Sequence, residues 1–76
     1  MNIGEKVKSL RNERGMTLKQ LSEATGLSTG FLSQFERGIT TIAVEHLSTI
    51  AALFEVRMNY FFEEEIEVEP IIRGYD

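Results

Sequence analysis

Few side chains in this 76-residue chain could do bond-making chemistry, and their patterns argue against it. Ser28 is a hydroxyl in a suggestive place, but no histidine lies near it in sequence to act as its base, and it suits a helix cap better. His46 is the one histidine and there is no cysteine, so neither a thiolate metal site nor a disulfide can form. The glutamates from 63 to 69 lack the Asp/Asn/Gly spacing of a calcium loop. Nothing supports catalysis, a metal or a cofactor. What remains is hydrogen-bonding chemistry: Thr29, Ser33, Gln34 and Arg37 fall together just after Gly26-Leu27-Ser28. Hydroxyls, an amide and a guanidinium so close together can recognise polar edges.

These residues need a rigid support, and the apolar spacing predicts one. Ile3, Val7 and Leu10 recur at helical period before Gly15, which gives helix 1 over about 3–14. Thr17-Leu18-Lys19-Gln20 has the form of a capping box and opens helix 2, about 18–25, with Leu21 and Ala24 inward. Gly26 stops that helix, and Ser28 caps helix 3, which runs through Phe31, Leu32 and Phe35 to Gly38. A three-residue connection forces two helix axes to cross steeply, the geometry of a helix-turn-helix. After a polar turn at Thr40 and Thr41, helix 4 is expected over about 42–54 through Val44, Leu47, Ile50, Ala51 and Phe54. Helix 5, about 58–63, adds Met58, Phe61 and Phe62.

The expected fold is all-α: a compact five-helix domain over residues 1–63, followed by an extended acidic tail over 64–76. In that tail Ile66 and Val68 alternate with glutamates, a strand-like period. A chain this short holds one modest core. No window approaches the roughly 20 apolar residues needed to cross a bilayer, so the chain is expected to be cytoplasmic. The formal net charge is −4. Residues 1–38 nevertheless carry six Lys/Arg (Lys6, Lys8, Arg11, Arg14, Lys19, Arg37) against four Glu, while residues 39–76 hold the acidic excess. Such asymmetry suits one face for a polyanion and an acidic far end.

The string Leu10-Arg11, Gly15-Met16-Thr17-Leu18, Leu21, Ala24, Gly26-Leu27-Ser28, Leu32-Ser33, Glu36-Arg37-Gly38, Leu47, Ile50-Ala51, Leu53, Val56 resembles the Cro/repressor-like (XRE-type) helix-turn-helix regulators. The resemblance covers residues 3–62, and the run from Gly26 to Gly38 is its specific part. It implies a lambda-repressor-like domain in which helix 2 crosses the DNA backbone and helix 3 enters the major groove. Leu32 and Phe35 take the inner face, and Thr29, Gly30, Ser33 and Gln34 are the expected base contacts. Gln34 suits adenine N6/N7, Ser33 several base edges, and the Thr29 methyl a thymine methyl. Gly30 reads nothing through a side chain. Thr17, Lys19, Arg37, Thr40 and Thr41 are the expected phosphate contacts, which set register and not sequence. Arg11 and Glu36 stand where similar proteins have a buried structural ion pair. Leu18, Ile42 and Arg57 depart from the residues common in relatives, a phosphate-touching glutamine, a proline and a small cap.

The function so implied is a sequence-specific transcriptional regulator, a repressor type acting as a homodimer on palindromic double-stranded DNA. Glu69-Pro70-Ile71-Ile72-Arg73-Gly74-Tyr75-Asp76 resembles the first strand of the cupin sensor domain that follows the helices in one subfamily, so residues 64–76 read as a tail, a linker or that strand. The alternative function is a protein-interaction module such as an antitoxin, whose acidic, aromatic end around Tyr60, Phe61 and Phe62 binds a partner protein.

Overall fold

The computed structural model describes residues 2–63, and the expectations placed on residues 64–76 lie outside them. Five helices follow one another: α1 (Ile3–Glu13), α2 (Leu18–Thr25), α3 (Thr29–Glu36), α4 (Val44–Phe54) and α5 (Met58–Phe62). Among the described residues there is no strand, and no helix is long and apolar enough to cross a membrane.

The helix starts follow from capping chemistry. Asn2 and Glu5 form a reciprocal box at the head of α1, a cap the sequence reading passed over. Thr17 and Gln20 form the predicted one: the Gln20 N–H donates to Thr17 Oγ1 at 3.0 Å and the Thr17 N–H to Gln20 Oε1 at 2.8 Å. The interior is a single cluster drawn from every helix: Val7 and Leu10, Leu21, Leu32 and Phe35, Leu47, Ile50, Ala51 and Phe54, and Phe61. α1 and α4 bridge the remaining helices, and α2 packs on both α3 and α4.

Four details differ from expectation. α4 begins at Val44, not 42: Ala43 is its N-cap in extended conformation, and Ile42 reaches the core from the strand-like lead-in. Val44, the first residue of α4, is 68% exposed, while Ile42 before it packs against the core. On α2 the inward stripe is Leu18, Leu21, Ser22 and Thr25, so Ala24 faces solvent. α5 is a single turn ending at Phe62, in which Phe61 is buried and Phe62 is exposed.

Candidate nucleic-acid interface

The turn between α2 and α3 is built by side chains as well as by glycine. Gly26 adopts φ 81°, ψ 2°, a left-handed conformation that breaks the helix, and its N–H donates to Ser22 O at 2.8 Å. The Ser22 hydroxyl donates to Leu27 O at 2.5 Å, and Thr25 Oγ1 accepts from the Leu27 N–H at 3.2 Å. Ser28 then restarts the helix, its Oγ accepting from the Phe31 N–H at 3.0 Å. No continuous rod runs through Gly26.

α3 is held from its inner side. Leu32, Phe35 and Glu36 are buried, and Phe31 stacks parallel to Phe35 with ring centroids 6.3 Å apart. Arg11 clamps the far end: its Nε donates to Glu36 Oε2 at 2.8 Å and its Nη2 to Glu36 Oε1 at 3.0 Å, a bidentate fork. A third donor of the same guanidinium reaches Met16 O at 2.8 Å. Gly4 lets α1 lie directly against this end, because a Cβ there would stand 2.0 Å from Phe35 O. The sequence reading missed Gly4. Its one signal was a glycine inside a helical pattern, which points to close backbone approach.

With that face anchored, the other is open. Thr29, Gly30, Gln34 and Arg37 are exposed on α3, and Ser33 is half-buried among them. Thr29, Gly30, Ser33 and Gln34 thus share one side of a two-turn helix. Thr17 and Lys19 are exposed at the head of α2, although the Thr17 hydroxyl is already engaged in its cap. Leu18 packs on the core. Beyond Gly38, Thr40 is half-buried and Thr41 exposed, and both line a hollow of about 320 Å³ with Ile3, Phe35, Val44 and Phe62. Among the described residues no three His, Cys, Asp or Glu side chains gather to hold a metal.

Three of the six cations in the first half are engaged with groups of the domain itself at the ends of other helices. Lys6 is buried, and its ammonium donates to Tyr60 O at 3.0 Å and to Glu63 O while lying 5.4 Å from the Tyr60 ring centre. Arg11 is engaged with Glu36, and Arg14 Nη2 donates to Phe54 O at 2.7 Å, at the end of α4. Lys8, Lys19 and Arg37 are exposed, and their side chains have no hydrogen-bond or ion-pair partner among the described residues. The clue for Lys6 lay in its register, three residues after Ile3 and four before Leu10 on the inward stripe.

A two-turn helix presenting hydroxyl and amide groups, packed on the helix before it and separated from it by a short turn through a left-handed glycine, defines a helix-turn-helix domain. The family model described as helix-turn-helix matches residues 7–61, and the chain belongs to that family, as the string from Gly26 to Gly38 leads one to expect. It is 31% identical over 68 residues to the HTH-type transcriptional regulator SinR of Bacillus subtilis (strain 168), a match covering 88% of this chain and 61% of SinR. It is 33% identical over 63 residues to the HTH-type transcriptional regulator DdrOP3 of Deinococcus deserti, covering 83% of this chain and 49% of that one. The chain thus spans roughly half to three fifths of the length of these curated relatives. The crystal structure of SinR, the master regulator for biofilm formation, in complex with DNA superposes with a TM-score of 0.74 at 29% identity, covering 80% of this chain and 98% of that one. The clp gene regulator ClgR from Corynebacterium glutamicum gives 0.74 at 30% identity, covering 79% and 64%.

Proposed function

We propose that this protein is a sequence-specific DNA-binding transcriptional regulator that lays α3 in the major groove, with α2 across the sugar-phosphate backbone. The observation carrying this reading is the outward set of Thr29, Gly30 and Gln34, with Ser33 partly recessed, on a helix whose inner side is fully engaged. Gln34 can donate and accept at once, which matches adenine N6/N7; Ser33 and Thr29 serve neighbouring bases. The free amides at the head of α2 beside Thr17, with Lys19, Arg37 and Thr41, suit phosphates that fix register. Thr40 is the weakest of this group because it is partly covered. The name of SinR and its structure with DNA support the assignment.

One α3 reads only a few base pairs, so the working unit in this proposal is a homodimer placing two copies of α3 about 34 Å apart on successive grooves. In this reading the sequence of 64–76 is a linker to, or the start of, an effector-sensing part, which the length of the intact gene tests. The test of the main proposal is selection of bound duplexes from a random pool at moderate salt. Recovery of a palindromic consensus is the expected result, and equal retention of all sequences defeats the proposal.

A second reading has its own observation. Ile39, Val44 and Phe62 are more than half exposed, apolar side chains, which suits a protein partner. A relative's structure is that of a SinR protein/SinI protein complex. Phe61 leaves this set because it is 2% exposed, so Tyr60 and Phe62 are its aromatic members. Deleting residues 64–76 and comparing partner capture with DNA binding separates the two readings.

A further inference from the structure

The glycines of this domain fall into two groups, and Gly30 stands apart. Gly15, Gly26 and Gly38 have φ of 65°, 81° and 79°, which an L side chain rarely adopts, and Gly4 faces backbone that a Cβ would strike. Each is therefore required by the chain itself. Gly30 lies inside α3 with ordinary helical backbone, and a Cβ built there meets nothing within 4 Å. Gly30 is the second residue of α3, and neither conformation nor packing asks for glycine there; at a position whose backbone alanine can adopt, glycine only adds unfolded-state entropy that folding must overcome. That cost falls on a helix of only eight residues.

Position sharpens the point. Gly30 precedes Ser33 by three residues and Gln34 by four, so it sits directly over both on the same face. It follows Thr29, which is exposed. The outward face of α3 therefore has a notch in its first turn, one side chain deep, beside Thr29 and above Ser33 and Gln34. Those three have short or medium side chains, and they reach base edges only if the helix axis settles deep in the groove.

Resting on the DNA-binding reading, the geometry points to Gly30 as a specificity-determining residue: its bare backbone is the point of closest approach between α3 and the DNA, and the missing Cβ lets Thr29, Ser33 and Gln34 reach their bases. What would object to a side chain at this position is the bound duplex.

The test uses the whole 76-residue chain and the tightest duplex that the wild-type protein selects from a random pool. Gly30→Ala and Gly30→Ser share an added Cβ and differ in helix propensity. Gly30→Ala is expected to raise the thermal midpoint by about 2 to 8 °C. Both variants are expected to bind the selected duplex at least tenfold more weakly, with the discrimination between selected and scrambled duplexes reduced. Opposite signs in stability and binding support the inference, since a merely structural glycine would move both together. Binding of either variant within twofold of wild type, with discrimination retained, overturns it while leaving the DNA-binding reading intact. A wild-type chain that selects no duplex at all removes that reading, and this inference with it.

Discussion

α1 and α3 are both short amphipathic helices rich in polar side chains, and they direct those side chains oppositely. α1 and its C-cap Arg14 turn Lys6, Arg11 and Arg14 to the far ends of α5, α3 and α4, where the three cations meet carbonyl oxygens and a carboxylate. α3 turns Thr29, Gln34 and Arg37 to solvent, and among the described residues their side chains accept or donate nothing. Helix C-termini gather unpaired carbonyls and partial negative charge, so a cation there answers a need internal to the fold. An outward amide with no internal partner leaves its hydrogen bonds for something else. The difference separates two kinds of polar residue that composition treats alike, and it predicts different consequences for their removal.

The strongest way to break the comparison is at Glu36. Glu36 is 4% exposed and its carboxylate receives both arms of the Arg11 fork, so Glu36→Ala strands a guanidinium in the interior. The expected loss is about 3 to 5 kcal/mol of folding free energy by urea denaturation. A loss below about 1 kcal/mol would show that α1 does not hold α3. Gly4→Ala comes next, since its methyl would overlap the Phe35 carbonyl. Overpacking of this kind costs about 1 to 3 kcal/mol, and because the obstacle is backbone the upper part of that range is expected. The thermal midpoint measures it.

The contrast also marks how far the sequence could be read. Each helix was legible because its signals are local: the Thr17–Gln20 box, the Ser28 cap, the left-handed Gly26, and the stripe of Leu47, Ile50, Ala51 and Phe54. The outward set on α3 followed from period and from the family resemblance. What failed was non-local. Val44 fits the helical stripe but is exposed, whereas Ile42, outside the helix, packs on the core, and the tertiary path that decides this leaves no local signal. Ala24 fits a spacing of three from Leu21, yet α2 settles on the Ser22 side, where the hydroxyl ties down the turn. Counting Lys6, Arg11 and Arg14 as charge for a polyanion failed for the same reason, because their partners lie 25 to 57 residues away along the chain.

On the α3 side the expected effects move to binding. Gln34→Ala should leave the thermal midpoint within a degree or so, because the side chain is exposed and supports nothing in the fold. It should reduce discrimination at one base pair by about 1 to 3 kcal/mol, read by competition between selected duplexes that differ at single positions. Loss of stability with unchanged discrimination would place Gln34 with the α1 cations.

The smallest effects come from the paired variants Arg14→Ala and Lys19→Ala, which draw the comparison most finely because both remove one exposed cation from the basic half. Affinity for a duplex falls with salt in proportion to the phosphates neutralised, with a slope of about −0.9 for each. Lys19 stands free at the head of α2, so its removal should flatten that slope by about 1, weaken all duplexes alike and leave folding unchanged. Arg14 is bound to Phe54 O and lies over the Phe54 ring, 5.3 Å from its centre, so its removal should leave the slope unchanged. The expected cost is instead about 0.5 to 1.5 kcal/mol of stability, the usual worth of one hydrogen bond. If the two variants shift the salt slope equally, a cation on α1 serves the polyanion as well as the fold, and the division between the helices is one of degree. If the slope follows Lys19 alone, the electrostatic footprint of the domain is confined to α2, the end of α3 and the outer side of Lys8.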